Sequence, residues 1–146
     1  MKDWQGNHPK MEKPKDVNGY FESMSRAVFA AGLAWGVVDK KWPTIKTAFD
    51  NFSVSKVSQY NQDDVDRLMA DTRVVRNYKK IVGTVDNARE IENLEKEFGS
   101  FPKYFDSFKS REDELIKDLG KRFSFLGPST AVMFLYGCGE KTAPSH

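Results

Sequence analysis

Cysteine is almost missing from these 146 residues: Cys138 stands alone. No intrachain disulfide can form, which fits a reducing compartment, so the chain is expected in the cytoplasm. Histidine is nearly as scarce, at His8 and His146. A structural zinc usually takes four His or Cys ligands. Three, spread toward both ends of the chain, point to no metal site, and no other cofactor is expected. No apolar run approaches the length of a membrane span, and the polar, Lys-containing start is not a signal peptide. Charge imbalance is also small, at +2, with a sequence pI of about 8.6. A face for nucleic acid would therefore have to come from local clustering rather than total charge. No segment alternates apolar and polar residues with β-branched enrichment, so strands are not expected. Repeats and low-complexity tracts are absent too.

What is present is helical periodicity. Apolar residues make up 39% of the chain, enough for a core in a single domain of this length. Residues 1–17 carry two prolines and mixed charge without apolar period, and read as an extended arm, with Trp4 its only large apolar group. Residues 18–146 read as one all-α domain of about eight helices with short connections. Asn18 and Gly19 open a long first helix, Tyr20 to Lys40, with Phe21, Met24, Val28, Ala31, Trp35 and Val38 inward. Trp42-Pro43 breaks the chain, and Pro43 starts the next helix. Ser53, Asn61, Ser100 and Ser110 read as N-caps. A second long helix runs from Val74 to Phe98, bent or interrupted at Gly83 and ended by Gly99.

The most informative stretch is Arg122-Phe-Ser-Phe-Leu-Gly-Pro-Ser-Thr-Ala131. It joins a helical pattern, Glu112 to Lys121, to an apolar run, Ala131 to Leu135. Gly127 permits a tight turn, Pro128 donates no N–H, and Ser129 can cap the following helix. Gly127, Ser129 and Thr130 then present free amides at a helix N-terminus, a setting that binds anions such as phosphate. This is a helix-hairpin-helix reading. The alternative is an αα-corner that binds nothing.

Several separated stretches resemble one family, in order. They are Tyr20-Phe-Glu-Ser-Met, Ala31-Gly-Leu-Ala-Trp35, Lys40-Lys41, Ala48-Phe49, Phe52, Asp64-Val65 with Arg67-Leu68, and Val75-Arg76-Asn77 with Lys80-Ile81. Asn87-Ala88-Arg89, Gly99-Ser100-Phe101 and Arg122-Phe-Ser-Phe-Leu-Gly127 complete the set. Together they are similar to the methyladenine DNA glycosylases of type I, from about Tyr20 to Gly139. The resemblance implies the helix-hairpin-helix glycosylase fold and a role in base-excision repair. It also implies duplex DNA with a damaged base as partner, a monomer, and a base swung out of the stack. Trp35 matches the family's pocket tryptophan, where an aromatic wall would meet a cationic alkylated purine; core packing is its other reading.

The chain departs from that pattern in three places. Ala27 stands where family members carry the carboxylate that contacts the flipped base. The Tyr-His-Asp/Glu segment, early cysteine and late His and Cys of the family's zinc site are not matched. The wider superfamily's catalytic Asp beyond the hairpin has no equivalent, since the last Asp is Asp118 and only Glu140 follows. The catalytic residue is thus open, with Asp39 and Glu22 as candidates. Asp39 lies one turn after Trp35, and its plain reading is a solvated acid beside Lys40 and Lys41. Glu22 is explained by an i,i+4 pair with Arg26. Lys121 and Arg122 flank the hairpin and would add salt-sensitive affinity for phosphate. Three functions follow: an N-glycosylase for alkylated purines, a non-catalytic duplex- or lesion-binding module of the same fold, or a helical interaction domain with no DNA role.

Overall fold

The computed structural model describes residues 13–31, 35–74 and 76–140, with Trp35 described by its backbone alone. Residues 1–12 of the expected arm lie outside the described residues. Within them the regular elements are helical: α1 (Val17–Ala30), α2 (Trp35–Ala48), a 3-10 turn (Asp50–Phe52), α3 (Val54–Val57), α4 (Gln62–Ala70), α5 (Tyr78–Phe98), α6 (Phe101–Asp106), α7 (Glu112–Arg122) and α8 (Pro128–Gly137). The all-α reading with about eight helices is what the fold shows.

α1 is the central element because it is apolar most of the way round. Phe21, Met24, Val28 and Phe29 are fully enclosed, and Ala27 and Ala30 are buried beside them. It packs against α2, α5 and α8. Asp16 caps it by accepting from the Gly19 amide at 3.1 Å. Asn18, expected to open this helix, instead accepts from the Val54 amide of α3 at 2.9 Å. α1 ends at Ala31, whose ψ of 122° is extended.

The expected helix from Tyr20 to Lys40 is therefore two helices. The break falls before Trp35, and α2 continues through Trp42-Pro43 to Ala48. Proline inside a helix forfeits one backbone hydrogen bond. Packing overrides that loss here. Val38, Trp42, Ile45 and Phe49 are all buried, at spacings of four, three and four, so one apolar stripe spans the proline. Trp42 stacks on Phe52 with ring centres 5.2 Å apart, and Phe52 stacks on Phe49 at the same spacing.

Other local signals acted as read. Ser53 and Ser100 accept from the Lys56 and Lys103 amides, Asn61 and Asp64 form a capping box, and Gly99 ends α5 at φ 95°. Two readings were displaced. α5 starts at Tyr78 rather than Val74, because Asn77 caps it. The N-cap of α7 is Arg111, not Ser110, and an acidic first turn supplies the favourable charge instead.

Gly83 does not interrupt α5. A Cβ there would lie 3.0 Å from the Phe125 ring and 3.0 Å from the Ser124 Cβ, so the glycine lets the α7–α8 elbow approach. One turn further along α5, Asn87 is 2% exposed. Its Oδ1 accepts from the Ser124 amide at 2.7 Å, and its Nδ2 donates to the Ser124 carbonyl at 3.1 Å. Replacing it by alanine leaves both Ser124 backbone groups without those partners. Asn87→Ala is expected to lower stability by about 2–3 kcal/mol, read as a fall in urea midpoint with unchanged m-value.

Candidate nucleic-acid interface

The elbow between α7 and α8 is built around a left-handed residue. Phe123 leaves α7 in extended conformation, and Phe125 turns the chain at φ 62°. Leu126, 1% exposed, plugs the turn into the core. Gly127 is the N-cap of α8, with Pro128 in the first turn and no side-chain cap. Ser129 thus sits inside the first turn and is not the cap. The tight conformation expected of Gly127 belongs to Phe125 instead: Gly127 has an ordinary φ of −64°. Nothing stands within 4 Å of a Cβ added to it. Its lack of a side chain leaves backbone bare for close approach.

Gly127, Pro128 and Ser129 are exposed, and Thr130 is half-buried. The amides of Gly127, Ser129 and Thr130 have no partner among the described residues. Three unpaired donors at the positive end of a helix dipole make an anion seat. Lys121, in the last turn of α7, is exposed and makes no ion pair among the described residues.

Arg122 is turned inward. Its Nε donates to Asp118 at 2.7 Å, and its Nη1 donates to Glu90 at 3.1 Å, with Glu97 at 3.9 Å. The hydrogen bond to Asp118 leads in holding its pKa above the ordinary arginine value. Tyr104 donates its hydroxyl to the same Asp118 oxygen at 2.7 Å. The expected phosphate ligand is therefore a clamp between α7 and α5.

α5 connects the elbow to the α1–α2 junction. Lys80, in its first turn, donates from Nζ to the Ala31 carbonyl at 2.8 Å. That carbonyl closes α1, where a cation suits the helix dipole; burial pulls the Lys80 pKa down. Gly83 and Asn87, on the same side of α5, hold the elbow. Three chain segments far apart in sequence are brought together here: the end of α1 at Ala31, the first turns of α5, and the elbow. Arg76 and Lys79 are exposed at the start of α5, without ion pairs among the described residues.

Both candidate carboxylates are engaged in the α1–α2 contact. Asp39 pairs with Arg26. Glu22 accepts from Trp42 Nε1 at 2.8 Å and lies 3.1 Å from Lys46 Nζ, rather than pairing with Arg26. The Arg26 guanidinium lies over the Trp42 ring, 5.3 Å from its centre. Ala27 is 3% exposed. The side chain of Trp35 lies outside the described residues. Glu140 accepts from the Tyr20 hydroxyl at 3.0 Å, at the end of α8 away from the elbow. It is about 15 Å along that helix from the anion seat.

The family's zinc does not fit the residues described. Cys138 is fully buried, burial pushes its thiol pKa up, and the thiol points at the Leu135 carbonyl at 3.5 Å. A ligating cysteine is a thiolate. His8 and His146 lie outside the described residues, within which no cluster of three His, Cys, Asp or Glu occurs. The sequence names Gly83 as a bend and carries Lys80, Asn87 and Phe125 only within the stretches that resemble the family; their contacts with Ala31, Ser124 and Gly83 could not be read from it.

Comparison with known proteins agrees with this architecture. DNA-3-methyladenine glycosylase 1 of Escherichia coli K12 is 29% identical over 144 residues, covering 85% of this chain and 77% of that protein. The Haemophilus influenzae DNA-3-methyladenine glycosylase is 27% identical, with coverage of 87% and 80%. A crystal structure of a 3-methyladenine DNA glycosylase I variant in complex with 3-methyladenine superposes with a TM-score of 0.83 at 28% identity, over 97% of this chain and 87% of that one. The Staphylococcus aureus enzyme gives 0.82 at 27%, over 99% and 92%. The sequence model of methyladenine glycosylases matches residues 10–119. The chain belongs to the methyladenine glycosylase family.

Proposed function

We propose that this protein recognises an alkylated purine of the 3-methyladenine type in duplex DNA and releases it by hydrolysis of the N-glycosidic bond. It would act as a monomer in the cytoplasm. The observation that carries the reading is the meeting of the elbow, the first turns of α5 and the end of α1 at Ala31. Gly127, Ser129 and Thr130 hold a backbone phosphate through their amides. Lys121, Lys79 and Arg76 add sequence-independent attraction. Trp35 stacks on the extruded base, whose positive charge favours an aromatic face.

The same positive charge answers the absence of a carboxylate at Ala27. An N3-alkylated adenine leaves its sugar as a neutral base, so its glycosidic bond is already weak. Holding such a nucleotide out of the stack, in a site that admits one water, lowers the remaining barrier without a strong base. A second reading keeps the grip and loses the chemistry. Ala27, with Asp39 and Glu22 tied into ion pairs, is the observation that favours it.

One assay separates the two. Purified protein is incubated with methylated duplex DNA, and free base is measured by chromatography. Release of 3-methyladenine by the wild type, at least about tenfold above the Trp35→Ala protein, is the expected result. Salt-sensitive duplex binding without release would transfer the assignment to the lesion-binding reading.

The two basic residues of the elbow should behave differently. Lys121→Gln is expected to reduce the slope of log affinity against log salt by about 0.9, with stability unchanged. Arg122→Gln leaves Asp118 and Glu90 without their cation. It is expected to cost about 2 kcal/mol of stability, seen in thermal unfolding before any DNA is added.

A further inference from the structure

The large apolar side chains exposed among the described residues are Val37, Tyr78 and Phe125. Val37 lies in the first turn of α2, Tyr78 opens α5, and Phe125 makes the elbow. Of these, Phe125 lies on the elbow that carries the anion seat.

Phe125 is the most informative of the three. It is 42% exposed and holds a left-handed backbone, φ 62°, which a bulky side chain rarely adopts. Phe52 shares that conformation, at φ 55°, but is wholly buried and stacked between Phe49 and Trp42. Core packing accounts for Phe52. Phe125 has no comparable burial to offset its backbone. The Cδ2–Cε2 edge of its ring lies 3.0 Å from where a Cβ on Gly83 would stand, and much of the residue is open to solvent.

We propose that Phe125 is a DNA-contacting residue whose ring packs against the deoxyribose next to the phosphate held by Gly127, Ser129 and Thr130. This rests on the proposed function and deepens it. The reach fits, since Gly127 is two residue steps from Phe125, at most about 7 Å of chain. The sugar is the apolar surface within that radius of a bound phosphate, and base edges lie deeper in the duplex. Gly83 serves as the seat that keeps the ring at this height. Phosphate contacts grip the strand, and the ring adds an apolar, salt-insensitive contact that fixes which sugar lies beside the elbow.

Asparagine tolerates the left-handed conformation and removes the ring, so Phe125→Asn separates contact from structure. Melting temperature is measured alongside affinity for methylated duplex across a salt series. The expected result is a melting temperature at or above wild type. Affinity should fall by about fivefold to tenfold at every salt concentration, with the salt slope unchanged. Phe125→Leu should retain most of the affinity. An affinity within about twofold of wild type, or a melting temperature that falls in step with affinity, would overturn the inference. Absence of duplex binding by the wild type at low salt would instead remove the proposed function, and this contact with it.

Discussion

The fastening of the elbow to α5 is the contact on which the candidate interface depends. Asn87 both donates to and accepts from Ser124, and Gly83 leaves room for the elbow to lie flat. A two-way bond from a buried amide to one residue's backbone fixes position and orientation together. Leu126 and Phe123 are buried on the inner side, so the amides of Gly127, Ser129 and Thr130 are left facing out. An αα-corner needs none of this. It would serve as a connection with its first-turn amides capped by a side chain, whereas here the cap is a bare glycine. The helix-hairpin-helix reading gains from that difference, since unpaired donors are retained where a serine at position 127 would have closed one of them.

Legibility in the sequence followed the range of the interaction. Caps are local, and those at Ser53, Asn61 and Ser100 could be read from single residues. The break between α1 and α2 was misplaced because proline is a local signal that long-range packing overrode. Val38, Trp42, Ile45 and Phe49 are buried, with Trp42 and Phe49 stacked on Phe52, and that stripe carries α2 through Pro43. Gly83 was read as a weakness in its own helix. Its cause is a side chain 42 positions later, Phe125, which no window along the chain contains. Arg122 was read by its neighbourhood in sequence, beside the hairpin, while its partners Glu90 and Asp118 are on the inner face.

The family resemblance and the residue chemistry answer different questions. The resemblance gives the scaffold, and the superpositions agree over nearly the whole chain. It does not transfer the residues that vary within the scaffold. Ala27 offers no carboxylate in the middle of α1, and the two acids of the α1–α2 contact are not free. Asp39 and Glu22 hold Arg26, Lys46 and Trp42, and so fix the angle between α1 and α2. Freeing either acid for chemistry would strand a cation in a half-buried contact, which is costly. The same network orients the helix whose first residue is Trp35. These acids act as scaffolding of the α1–α2 contact.

That arrangement limits which lesions the proposed function can serve. Two terms govern excision: how firmly the nucleotide is held outside the stack, and how readily the base departs. With the acids of the α1–α2 contact engaged, the second term has to come from the lesion. A neutral damaged base needs a proton before it leaves, and no acid of that contact is free to give one. A cationic base needs none. Selectivity for alkylated purines would then arise from the leaving group as much as from the shape of the pocket. A scaffold that grips the backbone at an uncapped helix and presents one aromatic wall would be sufficient for the lesions that are already poised to depart.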